Sequence, residues 1–231
     1  MLVIGHRGAA GLAPENSMKA FQAGFASGAD MLELDVRLTR DGVPIVIHDA
    51  RLLRTHHHAE SVHNLTLLEI QSLTAAQPIP TLADVLDAYY GKILLNIELK
   101  SRGSAASVYR LIKKNYIKKK KDWDNILISS FYARELSQLR KLSPDINLAL
   151  LHSNNPFLFI AYQRRLHLTA VGFHRLYRHP LALEIARRAH LFIYVYTVNR
   201  PASFSLLEEQ GVDGVVTNYP DKFVALRDKR R

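Results

Sequence analysis

Short apolar runs alternate with helical patterns through most of the chain, and this alternation restricts the fold more than any other feature of the sequence. From residue 93 onward, strands are predicted at 93–99, 126–130, 147–151, 170–173, 192–198 and 214–217. The helices between them are predicted at 104–117, 133–142, 156–166, 180–189 and 202–210. Because regular strand–helix alternation is typical of a parallel sheet covered by helices, the sequence indicates the α/β class.

The first part of the chain contains two further strands of the same kind, predicted at 2–5 and 31–36. A helix is expected between them, with Asn16 or Ser17 as its N-cap and Gly28 at its end. The strand–helix–strand order of the later chain therefore begins at the N-terminus.

The segment that follows interrupts this order. Residues 44–48 are strand-like but lie too close to 31–36 for a crossover helix, so the two segments are predicted to form an antiparallel hairpin. Residues 49–66 are polar and rich in histidine, which is typical of a surface excursion. Short helices are expected at 67–73 and 82–90 before the regular pattern resumes.

With 44–48 assigned to the hairpin, eight parallel strands remain, and they predict a TIM (β/α)8 barrel with a small hairpin and loop excursion after the second strand. An open doubly wound sheet is the alternative. Gly5, Gly8 and Gly11 lack the spacing of a Gly-x-Gly-x-x-Gly loop, which disfavours dinucleotide binding on such a sheet. Since no linker rich in Pro, Gly or Ser divides the chain, a single barrel domain over 1–231 is expected.

The strand at 31–36 carries two carboxylates that are poorly placed for packing. Side chains alternate along a strand, so Glu33 and Asp35 share one face. The same alternation places Glu98 and Lys100 on one face of the strand at 93–99. Because neighbouring like charges repel unless a cation lies between them, Glu33, Asp35 and Glu98 are predicted to converge on one divalent metal. A solvated acidic pair on an edge strand is the alternative.

Two histidines and an arginine are expected at the same place. Catalytic groups of such barrels gather at the C-terminal ends of the strands, where His6 and Arg7 follow the first strand and Lys100 the third. The hairpin brings His48 back towards Glu33. Histidines titrate near neutral pH, which suits one as general base and the other as general acid.

These groups are suited to phosphodiester cleavage. An all-oxygen ligand set favours a hard cation, Mg²⁺ or Ca²⁺, which would neutralise charge on the phosphate. Arg7 can offer forked hydrogen bonds and Lys100 a point charge to the same phosphate. The sequence does not assign acid and base between His6 and His48, and the oligomeric state also stays open.

The chain is basic, with 31 Lys+Arg against 21 Asp+Glu and a formal net charge of +10. Such an excess favours phosphates, nucleic acid or an acidic lipid surface as ligands. Nucleic-acid binding is not expected, because the arginines between 164 and 188 are dispersed and form no basic face interleaved with aromatic residues.

The sequence indicates a reducing compartment. The chain has no cysteine, so disulfides and thiolate metal sites are ruled out and a cytoplasmic location is the default expectation. No apolar run approaches the ~20 residues of a membrane-spanning helix, and the N-terminus lacks the features of a signal peptide.

A set of short motifs resembles the glycerophosphodiester phosphodiesterase family from the first strand to the last. They are His6-Arg7-Gly8, Pro14-Glu15-Asn16-Ser17, Glu33-Leu34-Asp35, His48-Asp49, Glu98-Leu99-Lys100, Thr197-Val198-Asn199 and Gly211-Val212-Asp213-Gly214-Val215-Val216-Thr217. The resemblance, to the short cytoplasmic bacterial type, implies a TIM barrel, a divalent cation, and hydrolysis of small-molecule glycerophosphodiesters to an alcohol and sn-glycerol 3-phosphate. The site residues that it implies are His6 and His48 as acid–base pair, Glu33, Asp35 and Glu98 as metal ligands, and Arg7 and Lys100 as phosphate contacts.

The chain departs from the family pattern at two positions. Tyr196 stands where the family usually has Trp, and Asn218 stands where Asp commonly follows the last strand. The first departure is expected to alter packing against the glycerol or head group, and the second to alter the loop beneath it.

Competing interpretations remain at this stage. One is a related phosphodiesterase, phospholipase D-like or phospholipase C-like, that acts on intact phospholipid; another is a non-catalytic barrel that binds anions or membranes. The apolar segment 157–162 is interpreted as a buried barrel helix, with a peripheral membrane or partner surface as the alternative. A metal role for His56-His57-His58 is disfavoured, and His174 is a candidate substrate contact or a polar loop residue.

Overall fold

The sheet of the protein is closed, because its first strand pairs with both its second and its last. A computed structural model describes residues 1–152 and 154–230. Its strands are β1 (Leu2–Gly5), β2 (Met31–Leu38), β3 (Pro44–Val46), β4 (Leu94–Leu99), β5 (Ile126–Ser130), β6 (Asn147–His152), β7 (Ala170–His174), β8 (Phe192–Tyr196) and β9 (Gly214–Thr217). All of them except β3 are parallel, in the circular order β1-β2-β4-β5-β6-β7-β8-β9. The predicted TIM barrel is confirmed, and so is the hairpin, since β3 pairs antiparallel with β2.

Helices follow most strands and pack outside the barrel. They are α1 (Met18–Ala26), α2 (Leu53–His56), α3 (Leu67–Leu73), α4 (Leu82–Tyr89), α5 (Ala105–Asn115), α6 (Ala133–Leu142), α7 (Leu158–Leu166), α8 (Pro180–Arg188), α9 (Phe204–Glu209) and α10 (Pro220–Asp228). Short 3-10 helices cover Val62–Asn64, Lys120–Asn125 and Pro201–Ser203. Within the described ranges, no helix has both the length and the apolar character needed to cross a bilayer.

Strand alternation divides the core into two parts. Outward-facing residues such as Leu34 and Ile97 pack with the helices. Inward-facing residues form a second apolar cluster inside the barrel: Ile4, Met31, Leu127, Ala149, Leu151, Ala170, Tyr194 and Val216. Because Met31 lies at the start of β2, this apolar cluster fills the N-terminal part of the barrel and leaves the C-terminal part to the polar residues further along the strands.

The excursion after the hairpin is more structured than its polar sequence suggested. Leu52 and Val62 are fully buried and belong to a separate small cluster with Ile45, Ile70 and Ile79. The stretch 49–66 is therefore anchored by its own apolar contacts, although most of its residues are at the surface.

The turn after β1 requires glycine at one position. Gly8 has a φ of +86°, and a Cβ there would lie 2.6 Å from the backbone carbon of Ala20 in α1. Its N–H donates to the Glu33 carbonyl at 3.0 Å, which ties the turn to β2. Close approach of α1 to this turn therefore depends on the absence of a side chain.

Replacing Gly8 by alanine is expected to destabilise the protein by at least about 2 kcal/mol more than Gly42→Ala. Gly42 is the matched control, because its φ is +78° but nothing lies within 4 Å of the Cβ position. Urea unfolding of both variants measures the difference. Equal losses of stability would show that only the backbone conformation matters at Gly8.

Candidate active site

Three buried carboxylates from neighbouring strands meet at the C-terminal end of the barrel. Glu33 and Asp35 lie on β2, and Glu98 lies on β4 in register with Asp35. One oxygen from each lies within 4.8 Å of the others. Within residues 1–152 and 154–230, this acidic triad is the one group of three or more potential ligands so placed. The structure thus brings together the acids that strand alternation predicted to share a face.

Burial and mutual repulsion raise the pKa of two carboxyls in the triad. Desolvation, with repulsion from Asp35 and Glu98, raises the pKa of Glu33 well above its usual range. Desolvation also raises the pKa of Glu98 to about 7. Asp35 is equally buried, but the charges of Lys100 and Arg7 outweigh its desolvation and hold its pKa below the usual value. Protons therefore compete with a cation for the triad at neutral pH.

The triad fits a divalent metal ion. Glu33 Oε1 is buried and has no hydrogen-bond partner among the described residues. Glu98 Oε1 is also buried, and Lys100 Nζ lies 2.6 Å from it. Buried carboxylate oxygens without donors are costly, and an all-oxygen set of this kind is the one that hard divalent cations prefer.

Two basic side chains compensate part of the negative charge of the triad. Lys100 Nζ lies 3.3 Å from Asp35 Oδ1, and Arg7 Nε lies 3.3 Å from Asp35 Oδ2. Arg7 adopts a φ of +50°, and its backbone N–H donates to Glu33 Oε2 at 2.8 Å. Both predicted phosphate contacts therefore lie directly beside the three carboxylates.

His6 follows β1 and is oriented by a residue that follows β9. Its Nδ1 lies 2.6 Å from Asn218 Oδ1, and the Asn218 N–H donates to Asn199 Oδ1 at 2.9 Å. Burial lowers the pKa of His6 to about 4, and the charge of Arg7 acts in the same direction. The imidazole is therefore neutral at neutral pH, and Asn218, one of the departures from the family pattern, contacts it directly.

His48 reaches the site through the hairpin, as the sequence predicted. The preceding residue, Ile47, donates its N–H to the Asp35 carbonyl at 2.9 Å. His48 Nδ1 lies 2.6 Å from Asp49 Oδ1. Burial lowers the pKa of His48, although Asp35 and Asp49 act to raise it. His48 thus has a carboxylate partner where His6 has a neutral amide.

A chain of ion pairs joins the two histidine-bearing segments. Arg54 Nε donates to Asp49 Oδ2 at 2.5 Å, and its Nη1 donates to Glu15 Oε2 at 2.9 Å. Glu15 Oε1 in turn accepts from Arg7 Nη1 at 2.7 Å. The excursion after the hairpin is thereby connected to the turn after β1 through Arg54.

Sequence reasoning missed three of these supporting residues. The sequence predicts Asn16 or Ser17 as a helix cap, whereas in the structure Asn16 Nδ2 donates to Asp35 Oδ2 at 2.9 Å and Asn16 Oδ1 accepts from the Asp35 N–H at 3.3 Å. Ser17 is the N-cap of α1. The Pro-Glu-Asn-Ser motif could have identified Glu15 and Asn16 as site residues. Arg54 lies in the excursion after the hairpin and belongs to no motif or periodic pattern.

Aromatic side chains form one side of the mouth. The rings of Phe131 and His174 each pack edge-on against Tyr196, with centroids 6.1 and 5.9 Å away. Lys100 Nζ lies 5.5 Å from the Phe131 ring centroid. Tyr196 therefore packs among side chains at the C-terminal end of the barrel, and its contact with glycerol or the head group stays a prediction.

The remaining histidine candidates lie apart from the triad. His56 contacts Thr55 Oγ1 at 2.7 Å and the Gln77 carbonyl at 3.1 Å, and His58 Nδ1 lies 4.0 Å from Glu60 Oε2. These contacts give the two histidines different partners.

Comparisons with known proteins agree with this arrangement. The profile of the glycerophosphoryl diester phosphodiesterase family matches residues 6–222. A glycerophosphodiester phosphodiesterase of Caldanaerobacter subterraneus subsp. tengcongensis is 32% identical over 240 residues, which cover 97% of each chain. One of Bacillus altitudinis is 32% identical over 252 residues, which cover 99% of each chain.

Solved structures show the same similarity. A glycerophosphodiester phosphodiesterase from Thermotoga maritima superposes with a TM-score of 0.86 at 28% identity and covers 98% of each chain. A phosphodiesterase from Oleispira antarctica, solved with the product sn-glycerol-3-phosphate, has a TM-score of 0.87 at 26% identity; 99% of this chain and 97% of that chain are covered.

Replacing Arg54 by glutamine is expected to raise the pKa of Asp49, which is held at about 2 mainly by its hydrogen bond to Arg54. A carboxyl whose pKa is lowered by folding stabilises the protein above its unfolded pKa and loses that contribution as the pH falls through its folded pKa. The wild type therefore loses this contribution as the pH falls from about 4 towards about 2, whereas the variant lacks most of it already near pH 5 and loses less stability in acid.

Urea unfolding over the range from about pH 5 to about pH 2 measures this difference. Arg51→Gln is the matched control, because Arg51 is an exposed arginine of the same excursion. If both variants showed the same loss of stability in acid, the pairing of Arg54 with Asp49 would have no role in it.

Proposed function

Because the chain belongs to the glycerophosphoryl diester phosphodiesterase family, we propose that its acid–base pair is His6 and His48. The chain is an enzyme that hydrolyses glycerophosphodiesters to an alcohol and sn-glycerol 3-phosphate. Glu33, Asp35 and Glu98 are the proposed ligands of one divalent cation.

One observation carries this proposal above the others. The acidic triad has a buried oxygen without a donor, Glu33 Oε1, inside a barrel whose mouth also holds two oriented imidazoles. A site that only bound anions would need basic side chains and would have no use for three carboxylates. A site that cleaves a phosphodiester needs a cation and two proton-transfer groups, and these residues supply both requirements.

Either Mg²⁺ or Ca²⁺ suits the triad, since both are hard cations that prefer carboxylate oxygens. When bound there, such a cation supplies charge neutralisation at a non-bridging phosphate oxygen. Arg7 and Lys100 bind the same phosphate, Arg7 through its planar guanidinium and Lys100 as a compact charge. Because both already lie 3.3 Å from Asp35, they hold the phosphate next to the metal ligands.

The different partners of the histidines support different roles. Asn218 Oδ1 accepts from His6 Nδ1, so Nε2 of the neutral ring is free to take a proton from the attacking water or substrate hydroxyl. Asp49 accepts from His48 Nδ1 and opposes the lowering of the His48 pKa by burial, so the protonated fraction of the ring can donate its Nε2 proton to the departing alkoxide. His6 is the proposed base, and His48 is the proposed acid.

Two further proposals concern the domain organisation and the cellular location of the enzyme. We propose that residues 1–231 act as one barrel domain, because β1 and β9 are neighbours and the site needs the loops that follow both. The location we propose is the cytoplasm, since none of the proposed catalytic or metal-binding groups depends on a disulfide.

Release of glycerol 3-phosphate from glycerophosphocholine is expected to stop in excess EDTA and to return with Mg²⁺ or Ca²⁺. His6→Ala is expected to lose at least about a hundredfold in kcat, as is typical for loss of a general base. His58→Ala, in the excursion after the hairpin, is the control and keeps wild-type turnover. Unchanged turnover in EDTA and in His6→Ala would overturn the mechanism.

Glu98→Gln is expected to weaken binding of Ca²⁺, followed by titration calorimetry, and to leave the thermal stability of the barrel largely unchanged. Below a pKa of about 7, a proton on Glu98 opposes the metal, so wild-type affinity falls by up to about tenfold per pH unit. The variant loses the part of this dependence that is due to Glu98. Glu60→Gln, at an exposed acid, is the control. Loss of thermal stability with unchanged metal binding would identify Glu98 as a structural residue.

A further inference from the structure

The loop between β7 and α8 exposes an unusual amount of apolar surface. Leu176 is 71% exposed, Tyr177 is 47% exposed, and Leu181 in the first turn of α8 is 55% exposed. Single exposed apolar residues are normal on a protein surface, but three within six positions of one another form a local patch. We use the name β7–α8 loop for residues 174–181, which run from the last residue of β7 into the first turn of α8.

Arginines flank these apolar side chains. Arg175 and Arg178 belong to the β7–α8 loop, and Arg200 follows β8. All three line one cavity of about 440 Å³, together with Asn199 and Ser203. A concave surface with three guanidinium groups is suited to phosphate, which arginine binds through paired hydrogen bonds.

The charges of these arginines are not neutralised by carboxylates in the part of the chain that the structure describes. Arg175 Nη1 donates to the Thr197 carbonyl at 2.9 Å. Arg178 Nε donates to Gln210 Oε1 at 3.0 Å, and its Nη1 donates to the Arg175 carbonyl. These acceptors are neutral groups.

Carboxylates lie farther along the same face. An adjoining cavity of about 470 Å³ shares Arg175, Leu176 and Arg178 with the first, and its lining also includes Glu184, Arg187 and Glu209. Glu184 is paired with Arg187 and Arg188. The cavity of about 440 Å³ has no acidic residue in its described lining, so the field there is positive.

This surface lies at the same end of the barrel as the acidic triad, because the β7–α8 loop and Arg200 both follow the C-terminal ends of parallel strands. Asn199 connects the cavity to the active site. Its Oδ1 accepts from the Asn218 N–H, and Asn218 contacts His6. A ligand in the cavity would therefore lie beside the mouth of the barrel.

We propose that the β7–α8 loop docks onto the surface of an anionic phospholipid bilayer, with lipid phosphates in the cavity of Arg175, Arg178 and Arg200. Leu176, Tyr177 and Leu181 then enter the interfacial region, where apolar and aromatic side chains are stabilised. The positive field and the formal net charge of +10 favour an anionic leaflet. This docking does not depend on which residues carry out the hydrolysis.

An anionic bilayer accounts for both the arginine-lined cavity and the exposed apolar side chains, whereas a soluble phosphate accounts only for the arginines. Free phosphate would account for the arginines but would leave the apolar side chains exposed to water. The segment 157–162, the earlier candidate for membrane contact, is a less suitable surface because Phe159 is buried in the barrel core and Phe157 packs against His179. The membrane contact is therefore assigned to the β7–α8 loop.

Co-sedimentation with vesicles tests the proposal. The wild type is expected to bind vesicles of mixed phosphatidylglycerol and phosphatidylcholine, to release them as salt is raised, and to bind pure phosphatidylcholine weakly. The triple variant Arg175→Gln, Arg178→Gln and Arg200→Gln is expected to bind at least about thirtyfold more weakly, since each arginine near an anionic surface contributes about a fivefold factor. Its control is Arg110→Gln, Arg164→Gln and Arg165→Gln, which removes the same charge from exposed positions on α5 and α7.

The apolar part of the patch is tested separately. Leu176→Ser with Leu181→Ser is expected to weaken vesicle binding at least about tenfold, given the apolar surface removed. Leu68→Ser with Leu142→Ser is the control, because these leucines are 76% and 43% exposed on α3 and α6. Hydrolysis of glycerophosphocholine in the absence of vesicles is expected to be unchanged in the double serine variants.

The proposal is overturned by any of three results: no binding to the anionic vesicles, equal losses in the test and control variants, or no loss in the triple glutamine variant. Titration with inorganic phosphate tests whether the cavity binds a soluble anion instead of lipid phosphates. If phosphate bound the wild type but not the triple variant, and vesicles bound neither, the cavity would be a site for a soluble anion and docking would be wrong.

Discussion

Repulsion among three buried carboxylates is the constraint on which the rest of the site depends. Glu33, Asp35 and Glu98 cannot all be charged in a barrel interior without compensation. Arg7 and Lys100 provide part of it through contacts of 2.6 to 3.3 Å, and Asn16 donates a further hydrogen bond to Asp35. These groups stabilise Asp35 as a carboxylate and leave Glu33 and Glu98 with raised pKa values. A divalent cation held by the triad, as proposed, would let all three ionise together.

The barrel keeps the three carboxylates apart from the apolar cluster in its interior. Two positions before Glu33 on the same face, Met31 belongs to the apolar cluster that fills the N-terminal part of the barrel. The polar Asn96 is paired in register with Glu33, at the level between that cluster and Glu98. The opposite face of β2 packs against helices through residues such as Leu34. A shift of register by one residue would move the acids into that outer core, so the pairing of β2 with β4 determines both the fold and the site.

The sequence predicts those features of the fold and site that depend on residues close together in the chain. Strand alternation is a local property, and it was sufficient to place Glu33, Asp35 and Glu98 on inward faces of a barrel. The pairing of Arg54 with Glu15 joins residues that are distant in sequence and belongs to no periodic pattern, so sequence reasoning did not find it. The helix α10 was also missed; it is a short C-terminal helix whose one large buried apolar side chain is Phe223. Local periodicity identifies faces, whereas partners across the fold require coordinates.

Charge at this end of the barrel is arranged in two zones of opposite sign. The interior holds the three carboxylates, and exposed arginines such as Arg175 and Arg200 lie at the edge. A phosphate ester is attracted by the outer zone and is repelled by the inner one unless a cation and Lys100 offset the acids. In the proposed mechanism, a cation would therefore serve both substrate binding and stabilisation of the transition state. Because glycerophosphodiesters are deacylated phospholipids, a basic and apolar rim beside the mouth would hold the enzyme where such substrates are released.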